Sequence, residues 1–201
     1  MARRSDHTRE EIKEMALVAT EQIVSVEGFS ALSARKIAKR IGYTVGSLYL
    51  VFDNLDDLIL QVNGRTLDQL SSALDVAITR HDNPESRLHE LGKKYIEFAS
   101  CNLHLWNMLF EHKLAEGSEL PISMSNQVSS LFSRLEEQFD LLRPGQSKKQ
   151  LMLSARALWS GVHGVCMLSV SGKFDVVGVD SMQSVVERLI DALVQRWKLD
   201  H

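Results

Sequence analysis

Residues 33–52 read SARKIAKRIGYTVGSLYLVF, a pattern that predicts two short helices joined by a tight turn. In the first half, Ile37, Ala38 and Ile41 recur at helical spacing and therefore share one face. Basic residues occupy the remaining faces of that half. We therefore expect an amphipathic helix whose apolar side packs against the protein.

Capping residues predict where both helices begin and end. Ser33 is a natural N-cap, and Gly42 suits the left-handed position that closes a helix. Thr44 is placed to cap a second helix, whose apolar and aromatic residues continue to Phe52. Two short helices separated by three residues that include a glycine match a helix-turn-helix, which places its second helix in the DNA major groove.

Charge is unevenly distributed along the chain. The net charge of −3 by itself argues against a nucleic-acid partner. Residues 1–50 nevertheless contain eight Lys or Arg and six Asp or Glu, for a net +2, whereas residues 51–201 contain fifteen and twenty, for a net −5. Between residues 28 and 52 there are four basic residues and no acidic one. The basic segment therefore coincides with the helix-turn-helix.

The composition favours an all-α protein. Only three of the 201 residues are Pro and eleven are Gly, and the clusters of both that punctuate multistranded folds are missing. No apolar run is expected to approach the roughly 20 residues that span a bilayer, and the N-terminus is charged, so we expect a cytoplasmic protein. Cys101 and Cys166 lie in apolar helical contexts and are expected to be buried thiols.

Apolar periodicity and breakers predict seven further helices around the motif and two domains. The first helix should precede the motif, and the helix after it should join the two domains. The predicted helices cover residues 8–26, 54–79, 85–100, 102–113, 121–142, 148–171 and 181–197. The predicted domains are a helix-turn-helix DNA-binding domain at 1–53 and an effector-binding and dimerisation domain at 54–201.

The motif and its flanks resemble the N-terminal domain of the tetracycline-repressor (TetR) family of regulators. The resemblance covers about the first sixty residues and rests on a compound pattern of apolar, glycine and aromatic positions. The matching positions are Ile37, Ala38, Gly42, Ser47, Leu48, Tyr49, Phe52, Asn54 and Leu58. Two positions depart from the family. Leu55 stands where a phosphate-contacting lysine is usual, and Leu50 where a polar or basic residue is common.

This resemblance implies a DNA-contacting surface. In the family, the tyrosine at the place of Tyr49 contacts a DNA phosphate, although it could instead pack inside the small domain. Ser33 and Lys36 also have the spacing of a serine nucleophile and its lysine, but Ser33 is better explained as a cap. The start of the second helix is where this geometry contacts bases. The predicted DNA-binding residues are Arg3, Arg4, Ser33, Lys36, Lys39, Arg40, Tyr43, Thr44, Val45, Gly46, Ser47 and Tyr49.

A second resemblance lies in residues 155–174. This segment is similar to the C-terminal domain type of TetR regulators that is known by its Trp, His and Gly, here Trp159, His163 and Gly164. The resemblance implies that this helix and the last one pair with their copies in a second subunit. Glycines inside a helix cost about 1 kcal/mol each relative to Ala, and close helix packing would explain them. The predicted interface residues are Gly161, Gly164, Val165, Leu168, Val185, Leu189 and Leu193.

Aromatic side chains on the C-terminal helices predict an apolar effector pocket, although helical aromatics are usually plain core. The predicted effector-binding residues are Phe98, Trp106, Phe110, Trp159 and His163. Three histidines in this half, His104, His112 and His163, lack the spacing of a metal site, so no metal and no cofactor are expected.

Together these patterns predict a homodimeric, cytoplasmic TetR-type repressor. It would bind double-stranded operator DNA and be released by a small apolar effector, with no enzymatic activity. The alternative is a helical ligand-binding or enzymatic bundle with a vestigial helix-turn-helix. Leu55 and the uncharged second helix favour that alternative.

Overall fold

The structure, a computed structural model, describes residues 7–79, 81–114, 117, 119–174, 178 and 181–199. Within these residues the secondary structure is helical and contains no strand, so the all-α prediction is confirmed. A 3-10 turn spans Phe29–Ala31. The α-helices are α1 (Arg9–Glu27), α2 (Ala34–Ile41), α3 (Val45–Leu48), α4 (Leu55–Thr79), α5 (Pro84–Cys101), α6 (Leu103–Glu111), α7 (Ile122–Leu142), α8 (Lys148–Val170) and α9 (Met182–Leu199).

The chain forms two compact units. The first comprises Met1–Leu67 and Asn102–Leu120, and the second comprises Asp68–Cys101 and Pro121–His201. Helix α4 therefore contributes its first half to one unit and its second half to the other. The domain boundary between residues 53 and 54 stays a prediction, and the compact units divide the chain at other places because α6 packs with α1.

The first unit is built on an apolar core that α1 to α4 and α6 share. Its members include Ala16, Ile23, Ile37, Ala38, Leu48, Phe52, Leu58, Val62, Leu105 and Met108, all buried. A capping box starts α1: the Thr8 N–H donates to Glu11 Oε2 at 2.7 Å, and the Glu11 N–H donates to Thr8 Oγ1 at 3.2 Å. At the start of α4, Asn54 Oδ1 accepts the Asp57 N–H at 2.8 Å, so Asn54 is the N-cap of this helix.

The second unit packs α5 against α7, α8 and α9. Its core residues include Tyr95, Phe139, Leu158, Val162, Ile190 and Val194. Helices α5 and α9 approach closely at Gly92, where an added Cβ would lie 2.8 Å from Ile190 Cδ1. The indole N–H of Trp197 donates to the Phe139 carbonyl at 3.0 Å and so ties the end of α9 to α7.

Two expectations from the sequence need correction. Cys101 is exposed at the end of α5, because the last turn of that helix presents it to solvent, whereas Cys166 is buried as expected. Burial raises the pKa of the Cys166 thiol to about 11. Helix α8 is also long and apolar enough to cross a membrane by length and composition alone, and 28% of its most apolar 18 residues are buried.

Candidate functional site

The first helix of the motif ends as the sequence predicts. Ser33 Oγ accepts the Lys36 N–H at 3.3 Å and caps α2. Gly42 adopts φ 74° and ψ 23°, the left-handed conformation in which a side chain would be strained. Its N–H donates to the carbonyls of Ala38 and Lys39, so α2 stops and the chain turns. The predicted roles of Ser33 as an N-cap and of Gly42 as the closing residue are confirmed.

The second helix is shorter than the sequence suggests. Regular α-helix covers only Val45–Leu48, and the chain continues as a turn to Val51. Thr44 Oγ1 accepts the Ser47 N–H at 3.1 Å and lies 2.9 Å from Ser47 Oγ. The two hydroxyls that we expect to contact bases therefore bond to each other. Gly46, beside them, leaves the backbone exposed.

The basic residues beside the motif differ in their partners. Lys36 Nζ pairs with Glu27 Oε2 at 2.5 Å, and Arg40 Nη2 donates to Gln22 Oε1 at 3.2 Å. Lys39 is exposed. Both Lys36 and Arg40 would have to release a side chain of α1 before they could bind phosphate, whereas Lys39 is already presented to solvent.

Two tyrosines lie at the surface of the motif. Tyr49 is 47% exposed although Leu48 before it is buried, which favours phosphate contact over packing for its side chain. The Tyr43 hydroxyl lies 2.7 Å from His7 Nδ1. Arg3 and Arg4, the predicted basic arm, lie outside the described residues.

The predicted effector residues fall into two groups, one in each unit. In the first unit, Trp106 is fully buried and Phe110 is 41% exposed, and their rings meet edge to face at 5.2 Å. In the second unit, Phe98 is buried and His163 stacks on Trp159 with ring centroids 5.0 Å apart.

His163 is held in a definite orientation. The Tyr95 hydroxyl lies 2.9 Å from His163 Nδ1, and the ring of Phe132 meets that of Trp159 edge to face at 5.5 Å. Burial lowers the pKa of His163 below its ordinary value of 6.5, so the neutral imidazole dominates at neutral pH. Tyr95, which orients this ring, is not among the residues predicted from the sequence.

The most unusual polar group in the described part of the chain is the side chain of Asn63 on α4. The residue is 1% exposed, and its Oδ1 has no hydrogen-bond partner among the described residues. Thr66, one turn further, is also buried, and its hydroxyl donates to the Val62 carbonyl at 3.1 Å. A buried acceptor without a partner costs about 1–3 kcal/mol, so it needs an explanation. The sequence signal was present as two polar residues three apart within a leucine-rich helical face.

Family comparisons agree with this geometry. Residues 16–62 match the model of the bacterial regulatory proteins of the tetR family, and residues 88–193 match the model of the tetracyclin repressor-like C-terminal domain. The chain belongs to the TetR family. It is accordingly a DNA-binding transcriptional regulator. The C-terminal type distinguished by Trp159, His163 and Gly164 stays a prediction within this family.

Three individual proteins are similar to this chain at low sequence identity. The nucleoid occlusion factor SlmA of Mannheimia succiniciproducens is 25% identical over 132 residues, which cover 65% of this chain and 59% of that protein. A protein of unknown function from Rhodococcus sp. RHA1 superposes with a TM-score of 0.78 at 17% identity, covering 96% of this chain and 98% of that one. The transcriptional regulator FadR from Bacillus subtilis, in complex with stearoyl-CoA, superposes with a TM-score of 0.65 at 14% identity, covering 90% of this chain and 97% of that one. At these identities the superpositions establish the fold alone.

The two glycines of the predicted TetR dimer interface have different surroundings. A Cβ at Gly161 would overlap Leu189 of α9 in the same chain, so this glycine permits close packing of α8 on α9. A Cβ at Gly164 would meet nothing within 4 Å. Nearby on α8, Met167 and Leu168 are 41% and 40% exposed. An apolar face of α8 is therefore uncovered in the single chain.

Proposed function

We propose that this protein is a homodimeric, cytoplasmic repressor that leaves its operator when a small, largely apolar effector binds. The observation that carries the proposal is the α2–Gly42–α3 geometry, in which the capped start of α3 and the exposed Tyr49 face solvent. In a helix-turn-helix, these are the parts that contact base edges and the DNA backbone.

The residue types of the second helix and the turn after it restrict how bases can be recognised. From Val45 to Phe52 there is no Arg, Lys, Asn or Gln, the side chains that make the commonest two-pronged base contacts. Recognition is therefore assigned to the Thr44 and Ser47 hydroxyls, to contact of Val45 with a thymine methyl, and to close approach of the DNA to the backbone of the second helix. DNA shape and the basic arm would complete the specificity.

Backbone contacts are assigned to Tyr49 and to the basic residues of α2. Lys39 is the strongest candidate, because it is exposed, whereas Lys36 and Arg40 first have to leave Glu27 and Gln22. Leu55 adds none of the charge that the family usually has at its place. We therefore expect fewer phosphate contacts than in a typical family member, and a correspondingly modest dependence of affinity on salt.

Dimerisation is assigned to α8 and α9. The uncovered apolar face of α8 around Gly164 supports this, since exposed apolar patches mark interaction sites. A dimer interface at this face would also explain why α8, an apolar helix, is only partly buried in a single chain. Two helix-turn-helix motifs related by a two-fold axis fit successive major grooves when they lie about 34–36 Å apart or a multiple of that distance.

Effector binding is assigned to the aromatic groups within each unit, to Trp106 and Phe110 in the first and to Phe98, Trp159 and His163 in the second. These groups favour an uncharged or weakly acidic molecule, because a highly charged one would lose its hydration without gaining a partner. Asn63 Oδ1 is proposed to accept a hydrogen bond from the effector. If Trp106→Ala and Trp159→Ala both leave effector-driven release of DNA unchanged, the effector binds elsewhere.

Release is proposed to act through α4, which contributes to both units. An effector that favours the released arrangement by about 1–3 kcal/mol would change the spacing of the two motifs and weaken binding by 5- to 150-fold. A gel shift of the purified protein with the DNA upstream of its own gene tests the proposal. A specific shift that a candidate effector reverses is expected.

A helical bundle with a vestigial motif is the second candidate. Lys36 is paired with Glu27 and Arg40 is hydrogen-bonded to Gln22, so both side chains already have partners within the protein. These contacts, together with Leu55, favour the second candidate. Equal and weak binding to the upstream DNA and to a scrambled duplex in the same gel shift would select this candidate.

A further inference from the structure

His7 contacts the turn of the helix-turn-helix from a distant part of the sequence. Its Nδ1 lies 2.7 Å from the Tyr43 hydroxyl, 36 residues further along the chain. The two rings meet edge to face with centroids 6.0 Å apart. His7 directly precedes Thr8, the N-cap of α1.

Tyr43 occupies the turn itself. It lies between Gly42, which ends α2, and Thr44, which caps α3, and its N–H donates to the Ala38 carbonyl at 2.9 Å. Its backbone position is therefore fixed, while its hydroxyl reaches the exposed His7. In a helix-turn-helix docked on DNA, the start of the second helix lies in the major groove. The groups just before that helix consequently lie near the backbone phosphates that border the groove.

Three other charged groups lie around His7, and each has a hydrogen bond of its own. His7 shares a surface groove with Glu11, Glu14 and Arg40. Glu11 accepts a hydrogen bond from the backbone N–H of Thr8 at 2.7 Å, and this bond is the main cause of the lowered pKa of Glu11. Electrostatic attraction to His7 lowers the pKa of Glu11 by a smaller amount. Glu14 is bound to Arg65 on α4, and Arg40 donates to Gln22. None of these three hydrogen bonds has to break for His7 and Tyr43 to meet an anion.

Protonation of the imidazole changes what this pair can offer. A neutral imidazole can accept the tyrosine proton, whereas an imidazolium has two N–H donors and no acceptor. With His7 charged, the Tyr43 oxygen must accept from Nδ1, and the hydroxyl hydrogen becomes available to an outside acceptor. The pair then presents an O–H donor beside a positive charge, which is suited to a phosphate oxygen.

We propose that His7 and Tyr43 together bind a phosphate of the operator backbone, and that this contact strengthens when His7 is protonated. The inference rests on the proposed DNA-binding function and adds a residue to it. It supplies a backbone contact in a chain whose second helix is uncharged and whose position 55 is leucine. The contact is to the backbone and therefore does not depend on base sequence.

Salt titrations of affinity at about pH 6 and about pH 8, on the upstream DNA and on a scrambled duplex, test this proposal because imidazole changes charge in that interval. For the unmodified protein, the slope of log affinity against log salt should be steeper by about 0.9 at the lower pH, on both duplexes alike. His7→Gln should remove this difference. His81→Gln, between α4 and α5, is the matched control and should retain it. Tyr43→Phe should keep the steeper slope but bind both duplexes more weakly at the lower pH.

Two results would overturn the proposal. One is a slope that does not change with pH in the unmodified protein, and the other is a pH-dependent slope that persists in His7→Gln. Weak and equal binding of the unmodified protein to both duplexes at both pH values would instead contradict the proposed function itself. Circular dichroism should show the same melting for His7→Gln and the unmodified protein, because His7 is exposed.

Discussion

Arg65 on α4 forms a two-pronged ion pair with Glu14 on α1. Arg65 Nη1 donates to Glu14 Oε1 at 3.0 Å, Nη2 bonds to the other carboxylate oxygen, and Glu21 lies 3.6 Å away. Helix α1 in turn packs on α2 and α3. The first half of α4 is therefore tied to the helix that supports the DNA-binding motif, so a movement of α4 would be transmitted to it.

Arg65→Met should lower the free energy of unfolding at neutral pH by no more than about 1 kcal/mol, because Glu14 is 58% exposed and solvent screens the pair. The hydrogen bonds from Arg65 hold the pKa of Glu14 below 4.5. The contribution of the pair is therefore present above that value and is lost as the pH falls through the lowered pKa. Urea unfolding of both proteins should show a difference at pH 7 that closes in acid. A difference that is independent of pH would contradict this account.

Lys39→Ala should weaken binding to all DNA sequences alike and lower the salt slope by about one unit, since Lys39 is assigned to the backbone. Ser47→Ala should change the preference at one base position and leave the slope unchanged. Salt titrations on operator and scrambled DNA measure both effects. Lys149→Ala, an exposed lysine on α8, is the control and should change neither. If Lys39→Ala altered discrimination without changing the slope, the division of roles would be wrong.

Gly161→Leu should lower the stability of the single chain, whereas Gly164→Leu should act on the dimer. A side chain at Gly161 collides with Leu189, so the first change should destabilise the single chain by about 1–3 kcal/mol. A side chain at Gly164 has open space, so the second change should preserve the fold but weaken the dimer. Thermal unfolding and light scattering at micromolar concentration distinguish the two. A fully dimeric Gly164→Leu protein would place the interface elsewhere.

Asn63→Leu should raise the free energy of unfolding by about 1 kcal/mol, because it removes a buried acceptor without a partner and nearly conserves volume. Asn126→Leu, at an exposed position on α7, should stay within about 0.5 kcal/mol of the unmodified protein. Denaturant unfolding measures both. A marked loss of stability in Asn63→Leu would mean that the oxygen has a partner in solution, and would argue against its role toward the effector.

Helix positions were predictable from the sequence because their signals are local. Ser33, Thr44 and Asn54 each accept an N–H three residues later, and Gly42 adopts the left-handed conformation that its place requires. Most predicted helix ends lie within two residues of the observed ones. The second helix of the motif is the exception, because capping marks its start while nothing local marks its early end.

The partners of the site residues were not predictable, because they are remote in sequence. Lys36 pairs with Glu27, and Tyr43 meets His7, and no periodicity encodes either contact. The surroundings of the buried Asn63 were likewise not predictable from the sequence. The sequence shows a polar residue within an apolar helical face, but whether its side-chain oxygen finds a hydrogen-bond partner depends on how other helices pack around it.

In the proposed homodimer, two linked motifs bind successive major grooves of the operator together. The most direct test is to measure affinity for the footprinted operator with and without about five base pairs inserted between its half-sites, which turns one half-site to the opposite face of the duplex. We predict that the insertion reduces affinity to the level of a duplex with a single half-site. Unchanged affinity after the insertion would contradict the account, because the two motifs would then bind independently.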